Sequence, residues 1–206
     1  INFSTSGSDV GVATGGLGIN LAAKRGTNAF HGNFNGYFTH DDLQWSNIPD
    51  ELVGDPRLQG NDKADHTQQI FDWSGDRGGP ILKDRLWFFG SARSQDLQVG
   101  QLLQFSAIPY TQKQTDDRYQ AQLTGTLAQN HTVQASYIET EVEQFGPSLA
   151  GFAADPATFY IPSRTTPQSL FAANYNGVVS PNLFVEAQYS QKKFKFENTG
   201  GQSTAF

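Results

Sequence analysis

The chain has 206 residues, of which 37% are hydrophobic and 17% charged, and its formal net charge is −6. That balance excludes a disordered polyelectrolyte and a nucleic-acid binder built on clustered Lys and Arg. With no cysteine there is no disulfide framework, thiolate nucleophile or Cys-based metal site.

No apolar run approaches the roughly 18 residues of a membrane-spanning helix. The opening stretch "INFSTSGSDVGVATGG" has no basic n-region ahead of an apolar core. The chain therefore reads as mature or as beginning inside a longer protein. A first strand is predicted near 17–25 ("LGINLAAKR"), followed by one near 30–39. There Phe30, Phe34 and Phe38 oppose His31, Asn33 and Asn35. Strands near 67–79 and 85–105 flank the turn in "GGPILKDRLWFFGS".

The alternation is cleanest in the second half. In "DRYQAQLTGTLAQ", Tyr119, Ala121, Leu123, Gly125 and Leu127 take one parity, and Gln120, Gln122, Thr124 and Thr126 the other. Strands are predicted at 117–128, 131–144, 167–179 and 183–197. One face should gather Ala121, Leu123, Leu127, Val133, Ala135, Tyr137, Phe171, Tyr175, Val185 and Tyr189 toward lipid. Gln120, Gln122, Thr124, Gln134, Asn174 and Gln188 should face inward, because a one-residue slip inverts every side chain. No stretch sustains a helical period.

The predicted connections alternate: long at 40–66, short at 80–84, medium at 106–116, short at 129–130, long at 145–166 and short at 180–182. Tight turns at one end and extended loops at the other are the layout of an antiparallel transmembrane β-barrel, an up-and-down meander. A soluble β-sandwich or barrel also alternates. Its polar face would not be so rich in Gln, Asn, Thr and Ser and so poor in Lys and Glu. Trp87 and Phe89, just past the "LKDR" turn, are expected in an aromatic girdle. Leu86 and Phe88 are then expected to point inward.

Two motifs in order, "GGLGINLAAKRGTNAFHGNFNGYF" and "GGPILKDRLWFFGS", resemble the start of the barrel in TonB-dependent outer-membrane receptors. The likeness is to the Oar-like group, whose members often carry a carboxypeptidase-regulatory-like domain. The first motif rests on Gly15, Gly16, Asn20, Lys24, Gly26, Thr27, Asn28, Phe30, His31 and Gly32. The second rests on Gly78, Gly79, Pro80, Lys83, Asp84 and the aromatic run to Gly90. Ala23 and Arg25 stand where the family usually has Thr and Ser.

The resemblance implies that residues 1–28 end a plug domain and that 29–206 begin a barrel of about 22 strands, about seven of which are readable here. It implies a location in the bacterial outer membrane amid lipid and lipopolysaccharide. It also implies energy coupling by TonB–ExbB–ExbD through a segment outside this chain, and an imported solute such as a siderophore, oligosaccharide or peptide. A plug inside the barrel would give the inward Leu86 and Phe88 something to pack on.

No nucleophile elbow, phosphate-cradling loop or His-Glu-x-x-His is present, so no enzyme, cofactor or metal is expected. His40 abuts Asp41 and Asp42, and His66 follows Asp62 and Asp65, which reads as a solvated acidic loop. If the last plug strand enters from the periplasm, strand 30–39 climbs outward. Loops 40–66, 106–116 and 145–166 then face the exterior. Solute contact is expected there, at Asp41, Asp42, Trp45, Phe159 and Tyr160, since aromatic faces beside carboxylates suit sugars and peptides. Two alternatives stand beside a transporter segment. One is a complete small outer-membrane barrel with a structural or adhesive role. The other is a soluble carbohydrate-binding β-domain.

Overall fold

The computed structural model describes residues 2–4, 18–20, 26–58, 63–103, 106–145 and 163–198. Two short strands, β1 (Asn2–Ser4) and β2 (Gly18–Asn20), pair antiparallel in a sheet of their own. Seven more form one antiparallel meander in sequence order: β3 (His31–His40), β4 (His66–Leu82), β5 (Leu86–Leu102), β6 (Pro109–Ala128), β7 (His131–Phe145), β8 (Ser163–Ser180) and β9 (Leu183–Phe194). Each is joined to the next by a connection, and those after β4, β6 and β8 are only two or three residues long. This is the expected all-β transmembrane barrel architecture, and its strand order is that of the sequence.

Cross-strand partners share a face, so the register decides which residues look the same way. Ala121, Leu123 and Gly125 pair with Tyr137, Ala135 and Val133, which pair in turn with Phe171, Ala173 and Tyr175. On β9 the same face continues: Tyr189 pairs with Ala173, Ala187 with Tyr175 and Val185 with Gly177. The predicted inward residues form the opposite rows: Thr124 with Gln134, Gln134 with Asn174, and Asn174 with Gln188. The expected two-face division therefore holds across four strands. In water this arrangement would be inside out, because Phe34 (75% exposed), Leu123, Phe171 and Tyr189 are all open to the surroundings. Lipid is the solvent that makes such a face favourable.

The apolar band also crosses the sheet on a diagonal. On β3 it runs through Phe34, Gly36 and Phe38, and on β9 through Val185, Ala187 and Tyr189. The row through Gly36 passes Trp73, Ser94, Asp117 and Glu141 to Pro167, and the backbone of Lys195 bonds to that proline. From Ala187 to Lys195 the band has slid about eight residues over six strand steps. At roughly 3.3 Å per residue and 4.8 Å per strand, that corresponds to a strand tilt of about 40° from the membrane normal. Transmembrane barrels tilt by a similar angle.

Two expectations are corrected. The connection predicted at 106–116 shrinks to 103–108, because β6 starts at Pro109 and its residues Tyr110–Asp116 pair with Gln101–Gln95. "YTQKQTDD" shows no apolar alternation because it lies past the apolar band, where both faces are polar.

The second correction concerns the β4–β5 hairpin. Leu86 pairs with Gly125 and Phe88 with Leu123, so both look toward lipid. Trp87 pairs with Thr124 and Phe89 with Gln122, so these two look inward. The aromatic girdle assignment of Trp87 and Phe89 was therefore inverted. The parity of the "LWFF" run alone is ambiguous, since all four residues are apolar, and pairing to β6 resolves it.

The inward pair has a partner. The segment 26–30, which leads into β3, lies against the turn of that hairpin. The Asn28 side-chain amide donates to Asp84 Oδ1 at 2.5 Å, and its oxygen accepts from the Asp84 backbone N–H at 3.0 Å and from Trp87 Nε1 at 2.7 Å. This clamp supports the left-handed backbone of Asp84 (φ 62°). A Cβ on Gly26 would sit 2.8 Å from that of Trp87 and closer still to the carbonyl oxygen of Phe88, so only glycine permits this approach. The ring of Phe30 covers Gly79 in the same way and meets Phe88 with ring centroids 6.3 Å apart. The two sequence motifs are thus two halves of one interlock.

Candidate functional site

Side chains, not backbone pairing, organise the long-loop end. The described residues 41–58 and 63–65 are tied to one another and to the ends of β4 and β5 at a few fixed points. Gln44 Nε2 donates to the Thr67 carbonyl at 2.7 Å, and Asn47 bonds both the Asp65 carbonyl (2.7 Å) and the Ala64 N–H (3.0 Å). Asp65 Oδ1 then accepts from the backbone N–H of Leu102 at 2.9 Å. Ile48 is the buried apolar residue of this loop. Most of its described residues are exposed, so it is the solvated acidic loop expected, pinned at these points.

A short 3-10 turn, Asp41–Leu43, places the first two candidate residues. Asp41 forms an ion pair with Lys63, and His66 Nε2 stands 3.8 Å from its other oxygen. The Lys63 ammonium, which hydrogen-bonds to the carboxylate, holds Asp41 below the ordinary aspartate pKa. Asp42 faces away, with Oδ2 3.1 Å from His40 Nδ1 and almost full exposure. Trp45 is 94% exposed. The structure therefore brings Asp41 together with Lys63 and His66 and leaves Asp42 and Trp45 as separate features of the same loop. Phe159 and Tyr160 lie outside the described residues.

Beside this cluster a cavity of about 160 Å³ is lined by Lys63, His66, Gln68, Gly100, Tyr110 and Thr111. Thr111 Oγ1 donates to Gln68 Oε1 at 3.0 Å, and Tyr110 hydrogen-bonds to Gln101. His66 pairs with Gly100 and Gly100 with Thr111 on the lipid-facing parity, so the cavity opens on the outer side of the sheet above the apolar band. Its lining offers hydroxyl, amide and imidazole groups to a small polar ligand. Among the described residues no group of three or more His, Asp or Glu is arranged to hold a metal ion.

The inward face carries a second polar array that sequence reading missed. Arg93 grips Asp72 with two hydrogen bonds of 3.1 and 2.6 Å, and Gln95 adds a third at 3.1 Å. Arg118 stands 4.0 Å from Asp116 on the next strand. Further on, Gln144 donates to Gln114 at 2.8 Å and accepts from Arg164. This ladder spans β4 to β8, and charges held in it would contact anything occupying the interior. Its signal was present in the sequence as opposite charges on the polar parity of "FDWSGD" and "SARSQD". Only the register shows that they meet.

A lipid-facing apolar band, tilted strands and a polar interior define an outer-membrane β-barrel protein. Known proteins agree. Residues 22–113 match the family model of the outer membrane beta barrel domain. Over 96 residues the chain is 34% identical to the TonB-dependent transporter Oar of Myxococcus xanthus, a match covering 43% of this chain and 8% of that protein. No solved structure matches the chain. The chain resides in the bacterial outer membrane.

Proposed function

We propose that this chain forms the end of a plug and the first seven barrel strands of a TonB-dependent receptor that captures a scarce solute and imports it. In this reading residues 1–28 belong to the plug and the short turns face the periplasm. Energy coupling acts through a segment outside this chain, and the role is binding and transport, not catalysis. The observation that carries the reading is the interlock of residues 26–30 with the β4–β5 turn. It brings the entering chain to the short-turn end on the inward side, where Trp87 and Phe89 (4% exposed) pack. An occupied interior also suits the Asp72–Arg93 ladder, because paired and hydrogen-bonded charges tolerate desolvation better than free ones.

Solute capture is assigned to the long-loop end, which holds Asp41, Asp42 and Trp45. The groups it presents, carboxylates, imidazole and an open indole face, suit an oligosaccharide or peptide. A self-contained small barrel would need β3 to pair with β9, and among the described residues these strands do not pair. The whole protein that contains this chain, purified in detergent and placed in a planar bilayer, tests the proposal. A plugged receptor gives no steady open-pore conductance and binds the purified periplasmic domain of TonB. A stable open channel that ignores that domain would sink the reading.

A further inference from the structure

One residue violates the lipid-facing pattern. Arg77 on β4 pairs with Gly32 on one side and Gly90 on the other, in the row that continues through Ala121, Tyr137 and Phe171. It thus projects from the lipid-facing side, within the apolar band, and is exposed. It makes no hydrogen bond or ion pair among the described residues. An unpaired cation in hydrocarbon is costly, and such residues mark functional positions in membrane proteins. Both cross-strand neighbours lack side chains, and at Gly90, where a Cβ would meet only the Gln120 carbonyl oxygen at 3.8 Å, a slot is open beside the guanidinium.

We propose that Arg77 anchors the phosphate of an anionic phospholipid on the short-turn side of the membrane, with the headgroup drawn into the slot over Gly90. The guanidinium carries five donors in a planar fork that matches phosphate oxygens two at a time. Its long stem can lie along the band while its head reaches toward the interface. The surrounding charge fits an anion. The turn closing the same hairpin adds exposed Lys83 and Arg85, and its one acid, Asp84, is occupied by Asn28. The far end of the same face is acidic instead, with Asp96, Asp117, Glu139, Glu141 and Glu143 on the outward rows. The inference rests on the membrane face alone and survives if transport fails.

The test uses the whole protein that contains this chain, folded in detergent, titrated with phosphatidylglycerol or phosphatidylcholine and read by native mass spectrometry. Wild type should retain phosphatidylglycerol preferentially, and Arg77→Gln should lose that preference about five- to tenfold. Gly90→Leu is an independent probe. A Cβ there meets nothing closer than the Gln120 carbonyl oxygen at 3.8 Å, so the fold should tolerate it while the slot fills. It should weaken retention with Arg77 intact. Equal lipid retention by wild type and Gly90→Leu, or by wild type and a folded Arg77→Gln, overturns the proposal. Displacement of the lipid by millimolar inorganic phosphate would also overturn it, as it would mark a site for free phosphate.

Discussion

The two ends of the sheet are built on different principles. At the short-turn end, connections of two or three residues, a left-handed Asp84 and glycines pressed under Trp87 and Phe30 leave little freedom. At the long-loop end, 25 residues between β3 and β4 are held by a handful of side-chain bonds from Gln44, Asn47 and Asp65 and by the Asp41–Lys63 ion pair. The first end is steric and fixes the register of everything above it. The second is polar and replaceable residue by residue, as surface loops commonly are. Substitutions should therefore cost most in the lipid-facing band and the interlock, and least in the loop.

The largest effect is expected in the band. Ala135 pairs with Leu123 and Ala173, amid apolar neighbours. Ala135→Arg should destabilise the folded barrel by about 2–4 kcal/mol, seen as loss of the heat-modifiable folded band on a gel. Next is the interlock. Gly26→Ala forces a methyl against the Phe88 carbonyl and should cost about 1–3 kcal/mol, measured by urea unfolding in lipid vesicles. If Gly26→Ala is neutral, the close packing of the entering segment is wrong.

Asn28→Ala removes three hydrogen bonds that join the entering segment to the hairpin turn. A loss of about 1–2 kcal/mol is expected, with a change in Trp87 fluorescence. An unchanged emission spectrum would mean that Trp87 Nε1 has another partner.

Acidification should loosen the loop. The Asp41 pKa is depressed in the folded chain, so its pairing with Lys63 is fully present above the ordinary aspartate pKa of about 4. It is lost as pH falls through the lower folded value. Limited proteolysis between residues 41 and 65 should accelerate below about pH 4 while the barrel persists, and Asp41→Asn should show the faster cleavage already at pH 7. Asp42→Ala, at an exposed carboxylate, should change stability by less than about 0.5 kcal/mol.

Much of this division is legible in the sequence, and unevenly so. Strands β6 to β9 and their faces follow from parity alone, because one face is consistently apolar and the other consistently amide or hydroxyl. Parity fails where that contrast disappears. In "LWFF" both faces are apolar, since one meets lipid and the other, through Trp87, meets Gly26 and Asn28. In "YTQKQTDD" both faces are polar, since the strand has left the membrane. Within the candidate loop the contacts join residues more than twenty positions apart, such as Asp41 with Lys63. No local spacing reveals such pairs. The interlock was visible only as two glycine-rich motifs, and the structure supplies the contact that joins them.

Opposite sidedness of the two ends is tested most directly with single cysteines, easily placed in a chain that has none. Val53→Cys samples the long loop and Asn182→Cys the turn between β8 and β9, and both positions are exposed. Intact cells treated with a membrane-impermeant thiol reagent should be modified at position 53 and spared at 182, which should react only after the outer membrane is permeabilised. Modification at 182 with protection at 53 would reverse the orientation. Equal modification of both in intact cells would contradict a membrane-spanning sheet between them.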